Sequence, residues 1–231
     1  MSRRILTSLA AAGVLALGLT GCISGSDAPS GQQIDIEATW LDDGRLIGVA
    51  TSGSSTCIPT ADSAEINDAG DLAVTFVEPD ESTPCTADLV TRITLVTVPD
   101  GVDPSQDLEI WVTNDGYYGN VLLAGVDGLA GPGTETDYQP SAGWFQQQGQ
   151  FGILTWGSSG CPPTVDTAEV TAPGEVTVTF VDPPADQACT MDMAPRTTTA
   201  FADGLSGETG VQLILTGDSF DTTITINGAS S

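Results

Sequence analysis

The chain contains one stretch twice, and that constrains its fold more than any other feature. Gly53-Ser54-Ser55-Thr56-Cys57 leads to Cys85-Thr86-Ala87-Asp88-Leu89-Val90-Thr91-Arg92, and 104 residues later Gly157-Ser158-Ser159-Gly160-Cys161 leads to Cys189-Thr190-Met191-Asp192-Met193-Ala194-Pro195-Arg196. Across residues 40–96 the offset is constant, and 23 of 57 positions are identical. Trp40 falls on Trp144, Gly48 on Gly152, and Val74-Thr75-Phe76-Val77 on Val178-Thr179-Phe180-Val181. Beyond residue 96 one residue is lost, and Val112-Thr113-Asn114-Asp115 aligns with Leu215-Thr216-Gly217-Asp218 at an offset of 103. A period this long is the size of a small domain rather than of a solenoid repeat. The sequence therefore predicts two tandem domains of one fold.

Within each copy the hydrophobic pattern has the period of strands. Ile34, Ile36, Ala38 and Trp40 alternate with Asp35, Glu37 and Thr39, and Leu72, Val74 and Phe76 share one face. Asp42-Asp43-Gly44 has the chemistry of a tight turn. Strands are expected at 34–41, 45–52, 63–67, 72–78, 90–98, 108–113 and 119–124. In the second copy they are expected at 144–145, 151–156, 167–171, 175–181, 197–202, 211–216 and 222–226. No stretch sustains a helical period. About seven short strands per copy, separated by turn residues, imply an all-β chain of two immunoglobulin-like β-sandwich domains. Repeat 1 is placed at 34–125, a Gly/Pro/Thr-rich linker at 126–143, and repeat 2 at 144–231. The repeated Trp40 and Trp144 read as core.

The N-terminus supplies the address. Met1-Ser2-Arg3-Arg4 precedes a short apolar run from Ile5 to Leu19, then Thr20-Gly21-Cys22. A basic start, a short apolar stretch and small residues before a cleavage point describe a secretory signal over 1–21. The run is too short for a comfortable membrane span. Leu19-Thr20-Gly21-Cys22 resembles the lipobox of bacterial lipoproteins. The resemblance implies that the Cys22 sulfur receives a diacylglycerol and becomes the first residue after cleavage. Residues 22–33 are rich in Gly, Ser, Asp and Pro and suit a flexible tether. With the Gly-Ser-Ser-x-Cys-x-Pro loop at 157–163, the Cys-Thr-x-Asp-x-x-x-Arg motif at 189–196 and the lack of lysine, the chain resembles secreted lipoproteins of the high-GC Gram-positive, actinobacterial type. That resemblance carries no assigned activity. It implies anchoring through Cys22 on the outer face of the cytoplasmic membrane.

Five cysteines remain to be assigned. With Cys22 lipidated, Cys57 with Cys85 and Cys161 with Cys189 form two pairs, one per copy, each 28 residues apart. An exported chain meets an oxidising compartment in which disulfides persist. Metal ligation is the competing use, but there is no histidine and no closely spaced cysteine pair.

Charge excludes several partners. The formal net charge is −26, from five arginines, no lysine and 31 acidic residues. Arg3 and Arg4 lie in the signal. Such a chain repels phosphate backbones, so no nucleic acid is expected, nor electrostatic docking on anionic lipid. Without histidine or lysine, Ser-His-Asp, Cys-His, Schiff-base and Ser-Lys chemistry cannot be built. Paired carboxylates could still support a hydrolase, but any two of 31 acids meet somewhere. The chain is read as no enzyme, with no cofactor. Its expected role is non-catalytic binding or display toward a surface protein or glycan, with a carbohydrate- or wall-binding module or a carboxylate hydrolase as alternatives.

Two further expectations concern side chains. Arg92 and Arg196 are retained in both copies, and each should be tied to a carboxylate beside the disulfide: Asp88 and Asp192, or Glu65 and Glu169. Capture of a ligand carboxylate or phosphate is the alternative. Trp156 replaces Ser52 beside the Gly-Ser-Ser loop and is the candidate ligand contact. Calcium could gather carboxylates from separate loops, although no 12-residue calcium-loop pattern is present.

Overall fold

A computed structural model describes residues 31–205 and 208–229. Cys22, the signal and most of the tether lie outside the described residues. The chain is all-β. Its strands are β1 (Gln32–Gln33), β2 (Glu37–Leu41), β3 (Leu46–Gly53), β4 (Thr60–Ile66), β5 (Leu72–Val77), β6 (Val90–Thr97), β7 (Leu108–Thr113), β8 (Tyr117–Leu123), β9 (Ser141–Trp144), β10 (Gln150–Gly157), β11 (Val165–Ala172), β12 (Glu175–Phe180), β13 (Ala194–Phe201), β14 (Gln212–Gly217) and β15 (Phe220–Asn227). Among the described residues no helix is long and apolar enough to cross a membrane.

Each copy closes a core between two layers. In the first, the sheet β2-β3-β6 faces the sheet β1-β8-β7-β5-β4. Trp40, Ile47, Val49 and Val96 from one layer meet Leu72, Val74, Phe76, Ile110 and Val112 from the other. In the second copy Trp144, Phe151 and Ile153 meet Val176, Val178, Phe180, Leu213 and Leu215. Full burial of each such side chain contributes roughly 1.5–3 kcal/mol. In both copies the fourth and sixth strands pair in parallel, β5 with β7 and β12 with β14. The chain crosses to the opposite layer as β6 or β13 between them. This parallel pair departs from the wholly antiparallel sheets of an immunoglobulin sandwich.

The first strand of each copy serves both layers. β9 pairs antiparallel with β10 and, through Ala142 and Gly143, parallel with Ile226 and Asn227 of β15, so the second copy's layers join into one seven-stranded sheet. In the first copy the strand expected at 34–41 begins only at Glu37, and a separate short strand precedes it. Gln32 and Gln33, placed in the tether by sequence, pair in parallel with Tyr117 and Tyr118. β2 pairs with β3.

Burial separates outer strands from inner ones. β5 alternates, with Leu72, Val74 and Phe76 buried and Ala73, Thr75 and Val77 exposed. β3 and β10 do not: Ile47 through Thr51 and Phe151 through Thr155 are buried without interruption. A strand buried on both faces has a second layer against each. The inner sheets of the two copies lie against one another, with Ala50, Ile93 and Phe145 forming a small core between them. Gln146 Nε2–H donates to Ala38 O at 3.1 Å while its Oε1 accepts from Ala38 N at 2.9 Å. Thr197 Oγ1 lies 3.5 Å from Ile93 O, and a Cβ on Gly143 would sit 2.0 Å from Thr39 Oγ1. Ile93 and Thr197 are equivalent positions of the repeat, as are Thr39 and Gly143. Contact between equivalent residues is the mark of a two-fold axis, here an approximate one inside a single chain.

The expected linker 126–143 is fastened to the β2–β3 turn. Asp42, Asp43 and Gly44 take successive φ of 47°, 55° and 81°. Gly131 N–H donates to Asp43 O at 3.0 Å, and Thr136 Oγ1–H to Asp42 Oδ1 at 2.8 Å. Asp42, only 4% exposed, is held by Arg45 Nε at 2.9 Å.

Candidate functional site

The repeated motif builds the same loop twice. Cys57–Cys85 and Cys161–Cys189 are both bonded, each with Cα atoms 5.5 Å apart. Each bridge ties the loop after β3 or β10 to the loop before β6 or β13. Asp88 accepts from the Thr86 hydroxyl and from Ser55 N–H at 3.2 Å. Asp192 accepts from the Thr190 hydroxyl and from Ser159 N–H at 3.1 Å. These bonds hold both carboxyls down to about 2, Thr86 contributing most at Asp88 and the Ser159 side chain most at Asp192.

The expected Asp88–Arg92 and Asp192–Arg196 ion pairs are not formed. Each aspartate is spent on the serine–threonine turn of its own loop, while each arginine lies beneath the loop, stacked on a glycine. A Cβ on Gly53 would lie 2.5 Å from Arg92 Cζ, and one on Gly157 would lie 2.9 Å from Arg196 Cζ. Glu65 and Glu169 are exposed on β4 and β11 and pair with neither arginine.

Beneath this shared frame the copies diverge. Arg92 donates to Cys57 O, to Thr51 Oγ1 at 3.3 Å and, through Nη2, to Glu78 Oε1 at 3.2 Å. Tyr117 O–H donates to the same Glu78 oxygen at 2.9 Å. Burial, and next the hydrogen bond to Glu78, push the Tyr117 phenol up. Arg196 donates to Cys161 O at 2.9 Å and to Trp156 O at 3.0 Å. Its Nε is buried without a partner, and it forms no ion pair among the described residues. The equivalent of Glu78 is Asp182, one methylene shorter, whose Oδ1 accepts from Asp218 N at 2.9 Å. The equivalent of Tyr117 is Phe220, which has no hydroxyl. A cleft of about 270 Å³ opens here, lined by Ser158, Pro163, Asp182, Gln187, Arg196 and Asp218. Burial lowers the affinity of Arg196 for its proton, opposed by the charge of Asp218.

Trp156 is half-buried rather than displayed. Tyr138, from the 126–143 segment, meets it edge-on with centroids 5.1 Å apart and planes at 84°. Its indole N–H is buried without a partner. Among the described residues no three Cys, Asp or Glu side chains are grouped so that they could hold a metal ion. The sequence places neither Glu78 and Tyr117 beside Arg92 nor Asp218 beside Arg196. The available signal was the pair of differences, Glu78 for Asp182 and Tyr117 for Phe220, inside an otherwise matching frame.

No known protein family, curated protein or solved structure matches this chain.

Proposed function

We propose that the chain is a surface lipoprotein, anchored through Cys22 outside the cytoplasmic membrane, whose two β modules bind or display rather than catalyse. The observation that carries this reading is the repeated motif itself. In both copies its cysteines, hydroxyls and aspartate are consumed in pinning one loop, as a scaffold requires. Two disulfides suit an oxidising compartment, and the lipobox-like Leu19-Thr20-Gly21-Cys22 supplies the anchor. The glycan alternative draws less support, because the expected platform, Trp156, is packed against Tyr138.

The test is fractionation of cells fed a labelled fatty acid. The native chain should be labelled and sediment with membranes, while the Cys22→Ala chain should be unlabelled and leave the membrane fraction. An unlabelled native chain, or a Cys22→Ala chain still membrane-bound, would overturn the anchoring.

A further inference from the structure

We infer that the cleft beside the second disulfide is a single-copy binding site for a small zwitterion, its carboxylate on Arg196 and its ammonium group beside Asp182 and Asp218. This rests on the reading of the chain as a binding module and names the ligand chemistry of one site.

Both copies bury an arginine beneath the same disulfide loop, stacked on the same glycine, with one N–H on the adjacent cysteine carbonyl. In the first copy the rest of the guanidinium is satisfied from within: Glu78 reaches Nη2 at 3.2 Å and Tyr117 locks Glu78 in place at 2.9 Å. That site is closed. In the second copy both closing residues are altered together. Asp182 turns instead to the backbone of Asp218 at 2.9 Å, and Phe220 offers no hydroxyl; its ring packs on Phe180 with centroids 5.0 Å apart. Arg196 then keeps one donor on each of Nη1 and Nη2 beyond those used on Cys161 O and Trp156 O, and it lines a cleft of about 270 Å³. A half-buried guanidinium with no carboxylate in direct contact is costly, and a carboxylate is the group whose geometry fits its fork.

The walls choose between anions. Asp182 and Asp218 line the same cleft, and the chain carries a formal charge of −26. A phosphate or dicarboxylate would meet strong repulsion there. A ligand bearing its own cation next to its carboxylate converts that repulsion into attraction. Free amino acids and short peptides share this chemistry, and the volume admits either.

The probes are glycine, glycylglycine, acetate and methylammonium, titrated into the intact protein in detergent. The readout is the arginine Nε–H resonances, sparse because the whole chain has five arginines. The Arg196 signal should move saturably with glycine or glycylglycine, less with acetate, and not with methylammonium, while Arg92 stays still. Preference between glycine and glycylglycine identifies the source as a free amino acid or a peptide. The double variant Asp182→Glu/Phe220→Tyr writes the closed arrangement into the second copy and should abolish the shift with the backbone spectrum intact. The reverse variant, Glu78→Asp/Tyr117→Phe, should make the Arg92 signal respond. An unresponsive Arg196, an equal response of Arg92 and Arg196, or acetate acting as well as glycine would overturn the inference. None of these would touch the membrane anchoring, which the Cys22→Ala fractionation tests separately.

Discussion

At Gly143 the first copy leaves no room for a side chain, and replacing it with alanine tests whether the inner sheets pack as described. The added methyl would stand 2.0 Å from Thr39 Oγ1 and 2.7 Å from Trp40 O. The first contact could be relieved by a rotamer change, but Thr39 is only 2% exposed and has little room to turn. The second is with main chain, and β2 would have to shift. Overpacking of this kind costs about 1–3 kcal/mol, and a backbone obstacle places Gly143→Ala toward the upper figure. At about 2–4 °C per kcal/mol for a chain of this size, Tm should fall by about 6–12 °C in differential scanning calorimetry. Thr39→Gly removes both the hydroxyl and the Cβ. Combined with Gly143→Ala it should recover part of the loss, with a coupling of about 1–2 kcal/mol. Gly116→Ala is the control, since a Cβ there meets nothing closer than Asn114 Oδ1 at 3.7 Å. A Gly143→Ala chain melting like the Gly116→Ala chain, or additive behaviour of Thr39→Gly, would refute the face-to-face packing.

Three other outcomes follow from side chains already placed. Glu37 sits between the copies with Oε2 buried and unpartnered, and burial raises its pKa against a weaker opposing hydrogen bond from the Gln147 backbone. A raised carboxyl pKa opposes folding once pH climbs above the unfolded value of about 4.3, so Glu37→Gln should raise Tm at pH 7 and have little effect below pH of about 4. Tyr117→Phe removes a charge-assisted bond to Glu78, worth about 1.5–3 kcal/mol, and should lower Tm in thermal melts, whereas Phe220 has no such bond to lose. Replacing Cys57 and Cys85 together by alanine should cost roughly 3–4 kcal/mol in the chain-entropy model, with a similar loss for Cys161 and Cys189, read from urea unfolding midpoints.

The outer strands were legible because each buries one face. Leu72, Val74 and Phe76 announce β5 by alternation alone, and the expected 108–113 strand is β7 without adjustment. The inner strands carry a different signal, an unbroken run of apolar and small residues at Ile47–Thr51 and Phe151–Thr155, which marks a second covering layer. The bridges followed from spacing, since both cysteine pairs repeat at one offset. The partner of Arg92 did not. Asp88 is near it in sequence, but Glu78 and Tyr117 reach it only because the end of β5 and the start of β8 converge beneath the loop. Convergence of separated strands is set by the parallel β5–β7 crossover, and no local pattern encodes it. Asp42 reads as a turn residue and is one, but its burial depends on the 126–143 segment folding back over it.

The parallel pairing of β1 with β8 also gives the molecule a direction. Gln32 enters the fold beside Tyr117, whose hydroxyl reaches Glu78 under the first disulfide loop. The second loop leaves from Gly157, at the far end of β10 from Gln150, and Gln150 contacts Thr91 beside the first loop at 3.0 Å. Eight residues of strand set the two loops on the order of 25 Å apart along the stack. The closed arginine therefore lies at the end of the stack where the chain enters, and the open cleft at Arg196 lies at the opposite end.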